Sequence, residues 1–268
     1  MSSAFGKTLP AKWKLTFKVL PFVGALLLLK FAAHKFQAEF LTLSPLFTAI
    51  ISANIFLIGF LITGVLTDYK ESEKIPGELA ASLEVLLDER LSLRGGPAAA
   101  AAGYLQELCG LSRALLDWFH KREKTRGLMD RISALSGAFA VFDGVAPANY
   151  IARLKQEQHN IRRLVLRVHT IRETSFSEAG YAIAEIITAI LSLGLVFVRI
   201  DPFYESVFFV VFVSFMLIYM VLLIKDLDNP FGYYEEEDLS EEVSLKPLED
   251  TAERITAAAD KENADGRH

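Results

Sequence analysis

The sequence predicts an all-α membrane protein with four transmembrane helices and a helical cytosolic domain inserted between spans two and three. Three observations lead there. First, 52% of the 268 residues are hydrophobic and twenty are phenylalanine, in long runs that suit a polytopic membrane chain better than one soluble core. Second, residues 41–66, LTLSPLFTAIISANIFLIGFLITGVL, carry no charge over 26 positions. At ~1.5 Å per residue a helix of that length crosses a ~30 Å hydrocarbon core even when tilted. Third, residues 67–177 change character: acids and bases nearly balance and apolar residues recur at helical spacing, with no strand-like alternation.

Taken in order, residues 1–14 form a basic N-terminus with Lys7, Lys12 and Lys14 and no acid. The four leucines at 26–29 could serve as the core of a leader, but no small-x-small cleavage site follows, so this is read as an uncleaved first span over 15–33. Lys18 and Lys30 bracket its uncharged centre and are expected to snorkel to opposite interfaces. Trp13 is placed as an interfacial anchor, and Pro21 is expected in the first turn, where a missing N–H does little harm. The second span is residues 41–66.

The inserted domain over 67–177 is expected to hold four helices. Glu78–Leu93 is stopped by Arg94–Gly95–Gly96–Pro97. Ala98–Arg122 and Gly127–Phe142 follow, the latter broken by Asp143–Gly144. The fourth begins near Pro147, with Ile151, Leu154, Ile161, Val165 and Val168 at heptad-like spacing and Gln158 in the vacant position. Spans three (178–198) and four (204–225) are joined by a connector short enough to force an antiparallel turn. An acidic segment covers 226–240, and 241–268, acidic and without aromatics, is expected to be a disordered tail. The N-terminal lysines, Arg172 and Lys225 flank one side, so the positive-inside rule places both termini and the inserted domain in the cytoplasm, with the plasma (inner) membrane as location.

Enzyme classes find little support. His34, His120, His159, His169 and His268 have no metal-ligand spacing, and the single Cys109 has no CxxC companion. Neither a phosphate-cradling glycine loop nor a GxSxG elbow is present. The chain reads as a non-enzyme with no nucleic-acid partner.

Ser52, Phe56, Phe60, Thr63 and Thr67 share one face of the second span. Small hydroxyls on such a face let helices pack closely; equally, two rings between hydroxyls suit a gated water-filled path, since the rings can dewet while the hydroxyls stay wet. Glu185 lies inside span three. It reads as an interfacial acid paired with a basic residue of span one or the inserted domain, or as an ion site. Arg153, Arg162, Arg163, Arg167 and Arg172 form either a solvated helix face or the lining of an anion-concentrating vestibule.

Two motifs resemble the bestrophin family of ion channels. Phe56-Leu-Ile-Gly59-Phe60-Leu-Ile-Thr63-Gly-Val65-Leu-Thr67 is similar to the Phe-x-x-Gly-Phe-x-x-Thr-x-Val-x-Thr run of that family's second membrane helix. Asn229-Pro230-Phe231-Gly232, just past the last span and ahead of acids, is similar to its Asn-Pro-Phe-Gly-acidic segment. The resemblance covers roughly residues 15–240. It implies a homopentamer in the lipid bilayer, with the second helix of each subunit lining a central pore for small ions. Anions such as chloride are slightly favoured, and a monovalent cation channel of the same fold is the alternative. The family's neck of three apolar side chains maps onto Ser52, Phe56 and Phe60, the serine being a departure, and the proline after the first neck position is Ala53 here. The family's calcium clasp implies calcium as a possible ligand of Asp226, Asp228, Glu235, Glu236, Glu237 and Asp238, although Tyr233 and Tyr234 shift the acids by two positions. A rival of another class is a non-conducting membrane scaffold whose helical domain binds a cytosolic partner through the heptad-like face.

Overall fold

The computed structural model describes residues 11–90, 98–142, 144, 146–174, 177–232 and 242–265. In chain order the elements are α1 (Ala11–Lys35), β1 (Leu41–Thr42), α2 (Pro45–Ser72), α3 (Ile75–Glu89), α4 (Ala98–Phe119), α5 (Thr125–Ala140), α6 (Ala148–Glu173), α7 (Glu178–Phe197), β2 (Val198–Arg199), α8 (Phe203–Asp228) and α9 (Lys246–Asp265). They sort into two compact units. One holds α1, α2 as far as Tyr69, α7 and α8; the other holds α3 to α6 and α9.

In the first unit α1, α7 and α8 pack on one another, and the short strands β1 and β2 pair in parallel, Leu41 with Val198 and Thr42 with Arg199. Each of the four regions has a helix long and apolar enough to cross a membrane. Little of their apolar surface is buried within the chain: in the most apolar stretches of α2 and α8 only 22% of residues are. Lipid or neighbouring protein must cover the remainder, because exposed Phe22, Leu28, Phe208 and Phe212 would form far too large an apolar patch in water. Two glycines bring α2 against α7. A Cβ on Gly194 would stand 3.1 Å from the Phe47 ring, and one on Gly180 would stand 2.9 Å from Leu61. Between these points the Asn54 amide donates to Thr188 Oγ1 at 3.0 Å, an interhelical tie of a kind worth about 0.6 kcal/mol in lipid.

Two expectations for α1 are corrected. Pro21 lies inside the helix, not in its first turn, because the helix begins at Ala11; membrane helices tolerate such a residue where neighbours re-satisfy the freed carbonyl. Lys30 does not snorkel. It is fully buried, and its Nζ contacts Glu39 Oε1 at 2.6 Å, Val198 O at 2.6 Å and Val196 O at 3.2 Å. Two of the ammonium's three donors go to those carbonyls, and Glu39 balances its charge as an ion pair. His34 adds a contact from Nδ1 to the other Glu39 oxygen at 3.0 Å. Burial raises the Glu39 pKa, but hydrogen bonds from Lys30 and His34 outweigh it and hold the carboxyl below its usual range.

The second unit is a helical bundle in which each helix buries the stripe its sequence period supplies. Leu79, Leu83 and Leu86 of α3, Leu108 and Leu115 of α4, Ile132 and Leu135 of α5, and Leu154, Ile161 and Val165 of α6 are all buried. Gln158 completes the α6 stripe without an orphan polar group: its amide nitrogen donates to Ile132 O and to Ser136 Oγ, and its oxygen accepts from Ser136. Buried Tyr104 donates to Leu86 O at 2.7 Å, and that burial raises its pKa.

The expectation of a disordered tail over 241–268 is corrected for its described part. Lys246–Asp265 form α9, which packs on α4 and α3. Composition hid an amphipathic stripe: Leu248, Ala252, Ile255 and Ala259, at spacings of four, three and four, are all buried. Thr251 donates to Glu84 at 3.0 Å and Arg254 pairs with the same carboxylate at 2.9 Å. Ile255→Ala should therefore cost about 3 kcal/mol of the bundle's stability and, by loosening α9, let trypsin cut the backbone at the already exposed Arg254 and Lys261. Denaturant unfolding followed by Trp118 fluorescence in detergent would read the first and limited proteolysis the second; wild-type behaviour in both would show α9 to be undocked.

Candidate functional site

The exposed face of α2 gathers the residues of the proposed neck. Ser52, Phe56, Phe60, Thr63 and Thr67 are all exposed, Phe56 at 79% and Phe60 at 63%. The opposite face, Asn54, Ile58, Leu61, Val65 and Tyr69, is buried. Helical geometry separates the two sets cleanly, because spacings of three and four return to the same side.

The hydroxyls of this face are tied to their own helix. Thr48, Ser52, Thr63 and Thr67 each donate to the carbonyl four residues back, at 3.3, 3.0, 2.8 and 2.9 Å. A hydroxyl has one proton and two lone pairs. With the proton spent on a carbonyl, what remains toward the surroundings is an acceptor. On α7 and α8 the serine and threonine hydroxyls turn inward: Thr188, Ser192, Ser206 and Ser214 are buried, while the exposed side of α8 is Phe208, Phe209, Phe212 and Met216, with Tyr204 in its first turn. Exposed hydroxyls alternating with rings thus distinguish α2 from the outward surface of α8.

The charged candidates fall elsewhere. Glu185 pairs with Lys225 of α8, so the expected partner in span one or the inserted domain is corrected; the register of α7 against α8 brings these side chains together near their helix ends. Within the second unit Arg167 holds Glu71 through two bonds of 2.9 and 2.8 Å, keeping that carboxyl below its usual pKa range. Arg153 pairs with Glu89 at 3.0 Å, Arg162 donates to Ser133 Oγ at 3.0 Å, and Arg163 is exposed.

Arg172 has a role the sequence did not suggest. It donates to Trp118 O and Phe119 O at 3.2 and 2.8 Å, capping the end of α4 as a cation at a helix C-terminus. Its guanidinium lies 4.6 Å from the Trp118 ring centroid and 5.8 Å from that of Phe231, within the reach of cation–π attraction. Phe231 is fully buried and packs on Phe119 at 5.6 Å. Of the Asn229–Pro230–Phe231–Gly232 segment, Asn229 is the C-cap residue of α8, and Pro230, Phe231 and Gly232 are buried.

The calcium set is not assembled among the described residues. Glu235, Glu236, Glu237 and Asp238 lie outside them. Asp226 and Asp228 are two positions apart on α8, and such neighbours do not face one another, whereas Ca²⁺ needs six or more converging oxygens. No group of three or more His, Cys, Asp or Glu comes together among the described residues.

No protein-family model matches the chain, and no curated protein matches it in sequence. Its structure is similar to that of a bacterial Bestrophin homolog from Klebsiella pneumoniae, with a TM-score of 0.72 and 15% identity over 92% of this chain and 98% of that one. A variant of that homolog with one mutation matches at a TM-score of 0.71 and 15% identity, over 94% of this chain and 99% of the other. A crystal structure described as a membrane protein matches at 0.71 and 16%, over 91% and 95%. At such identities the shared property is the fold. The chain has a bestrophin-like fold and the apolar helices of an integral membrane protein.

Proposed function

We propose that five copies of this chain surround a central aqueous path lined by the Ser52–Thr67 face of α2, and that the assembly passes small ions down their gradient. The observation that carries this reading is the placement of hydroxyls. Thr48, Ser52, Thr63 and Thr67 are exposed on α2, while those at 188, 192, 206 and 214 are buried. Lipid alone gives no reason for that contrast, and a wet axis does. Phe56 and Phe60 then make a neck of two rings, with Ser52 in place of a third apolar residue. Both termini and the helical unit would lie in the cytoplasm, where the N-terminal lysines, Arg172 and Lys225 belong.

The absence of any acid between Leu41 and Leu66 favours anions slightly. A monovalent cation reading has an observation of its own: the hydroxyls of the α2 face present lone pairs outward, and Arg162 and Arg167 are engaged by Ser133 and Glu71, which weakens the arginine vestibule as an anion concentrator. The scaffold reading is less well supported, since Leu154, Gln158, Ile161, Val165 and Val168 of the heptad-like α6 face are buried inside their own bundle.

Purified protein in planar bilayers under a tenfold salt gradient should give a reversal potential displaced from zero, its sign naming the permeant ion. Particle images of the same preparation should show five subunits about a central axis. A silent bilayer together with a monomeric or dimeric particle would overturn the proposal.

A further inference from the structure

We infer that a crevice between α1, α7 and α8 is a binding site for one acyl chain of an anionic membrane phospholipid, with the headgroup on Lys225. The crevice measures about 410 Å³, inside the ~300–1,000 Å³ range of small-molecule sites. It exists because its floor is made of small side chains, Ala25, Thr188, Ala189 and Ser192, between walls of larger ones such as Leu26 and Leu222. Along α7 it runs from Glu185 to Leu193. At ~1.5 Å per residue that is roughly 12 Å, close to the ~15 Å depth of one leaflet's hydrocarbon.

One end differs chemically from the rest. Glu185 and Lys225 pair there, and both are partly exposed. The ammonium keeps two further donors beyond the one turned to Glu185, at the end of the apolar run of α8, where a headgroup would lie. A crevice with an apolar body, the length of one leaflet and, at its mouth, an ammonium paired to a carboxylate matches one lipid chain whose phosphate takes the ammonium donors that Glu185 leaves. The surrounding bilayer supplies that chain at high concentration, so no separate delivery is required. This inference does not depend on ion conduction.

The test is photo-crosslinking of the full chain in vesicles containing phosphatidylglycerol with a diazirine midway along one acyl chain, compared with the matching phosphatidylcholine probe. Adducts are expected on residues 22–29, 185–193 and 218–225. The phosphatidylglycerol yield there should exceed the phosphatidylcholine yield about fivefold, the effect of roughly one cation–headgroup attraction. Lys225→Gln should bring the two probes level. Ala189→Trp and, as a second filler at an exposed position, Leu193→Trp should abolish crevice adducts for both probes while labelling at Phe208 and Phe212 persists, which also reports that the helices are intact. Crevice labelling that survives both fillers, or that merely equals labelling at Phe208 and Phe212, would reduce the site to ordinary lipid contact and overturn the inference. An unlabelled crevice would overturn it in favour of cover by another protein surface, and equal yields from both probes in the unaltered chain would overturn the headgroup assignment.

Discussion

Alanine at both Phe56 and Phe60 is expected to raise the single-channel current about tenfold, which corresponds to a neck barrier lower by about 1.4 kcal/mol. The two rings are the largest side chains on the exposed α2 face, four residues apart and therefore one helical turn apart. Repeated around an axis they would form two stacked apolar rings, and an apolar constriction that narrow resists water as well as ions. Each single replacement should give a smaller increase of the same sign. The opposite substitution supplies a control on direction: Ser52→Leu adds an apolar turn above the rings and should reduce current. The hydroxyl of Ser52 bonds only to its own helix, at Thr48 O, so the change leaves no partner stranded. Currents indifferent to all of these variants would remove the Phe-bearing face of α2 from the conduction path.

The second large effect concerns the buried pair at the end of α1. Lys30→Met should destabilise the protein by about 3–5 kcal/mol, the usual result of stranding one half of a buried ion pair, and lower the melting temperature in detergent by roughly 10 °C. Glu39→Gln should cost as much, because the buried Lys30 ammonium keeps only the Val196 and Val198 carbonyls. Combining the two should recover part of the loss, and the difference from additivity measures the coupling. The pH dependence has a definite sign. The Glu39 pKa is lower in the folded chain than its ordinary value of 4.5, so its contribution is fully present above about pH 5 and is lost as pH falls through the folded value. The acid limb of a melting-temperature profile should therefore be shallower in Glu39→Gln than in the wild type. Additive single and double variants with unchanged acid limbs would show that Lys30 and Glu39 are not coupled.

Some of this arrangement was legible in the chain as written. The uncharged run at 41–66 and the 3.6-residue recurrence of Leu, Ile and Val identify helices and the face each one buries, because those periods follow from local backbone geometry. The stripe of Ser52, Phe56, Phe60, Thr63 and Thr67 could be drawn for the same reason, and so could the slot that Gln158 fills. For α9 the signal is present, in Leu248, Ala252, Ile255 and Ala259, but acidic composition masks it; only the surface offered by α4 and α3 makes so polar a segment worth ordering.

Partnership across the chain was decided by tertiary structure alone. Lys30 meets carbonyls more than 160 residues away, so no local pattern distinguishes a lysine that reaches for water from one that is buried against two carbonyls and a carboxylate. Glu185 finds Lys225, and Arg172 finds the end of α4 and the Phe231 ring, through the same kind of encounter. Sequence period sets which side of a helix is apolar. Which charge meets which is fixed only when the helices pack, since the energy of a buried ion depends on the few ångströms around it and not on its neighbours in the chain.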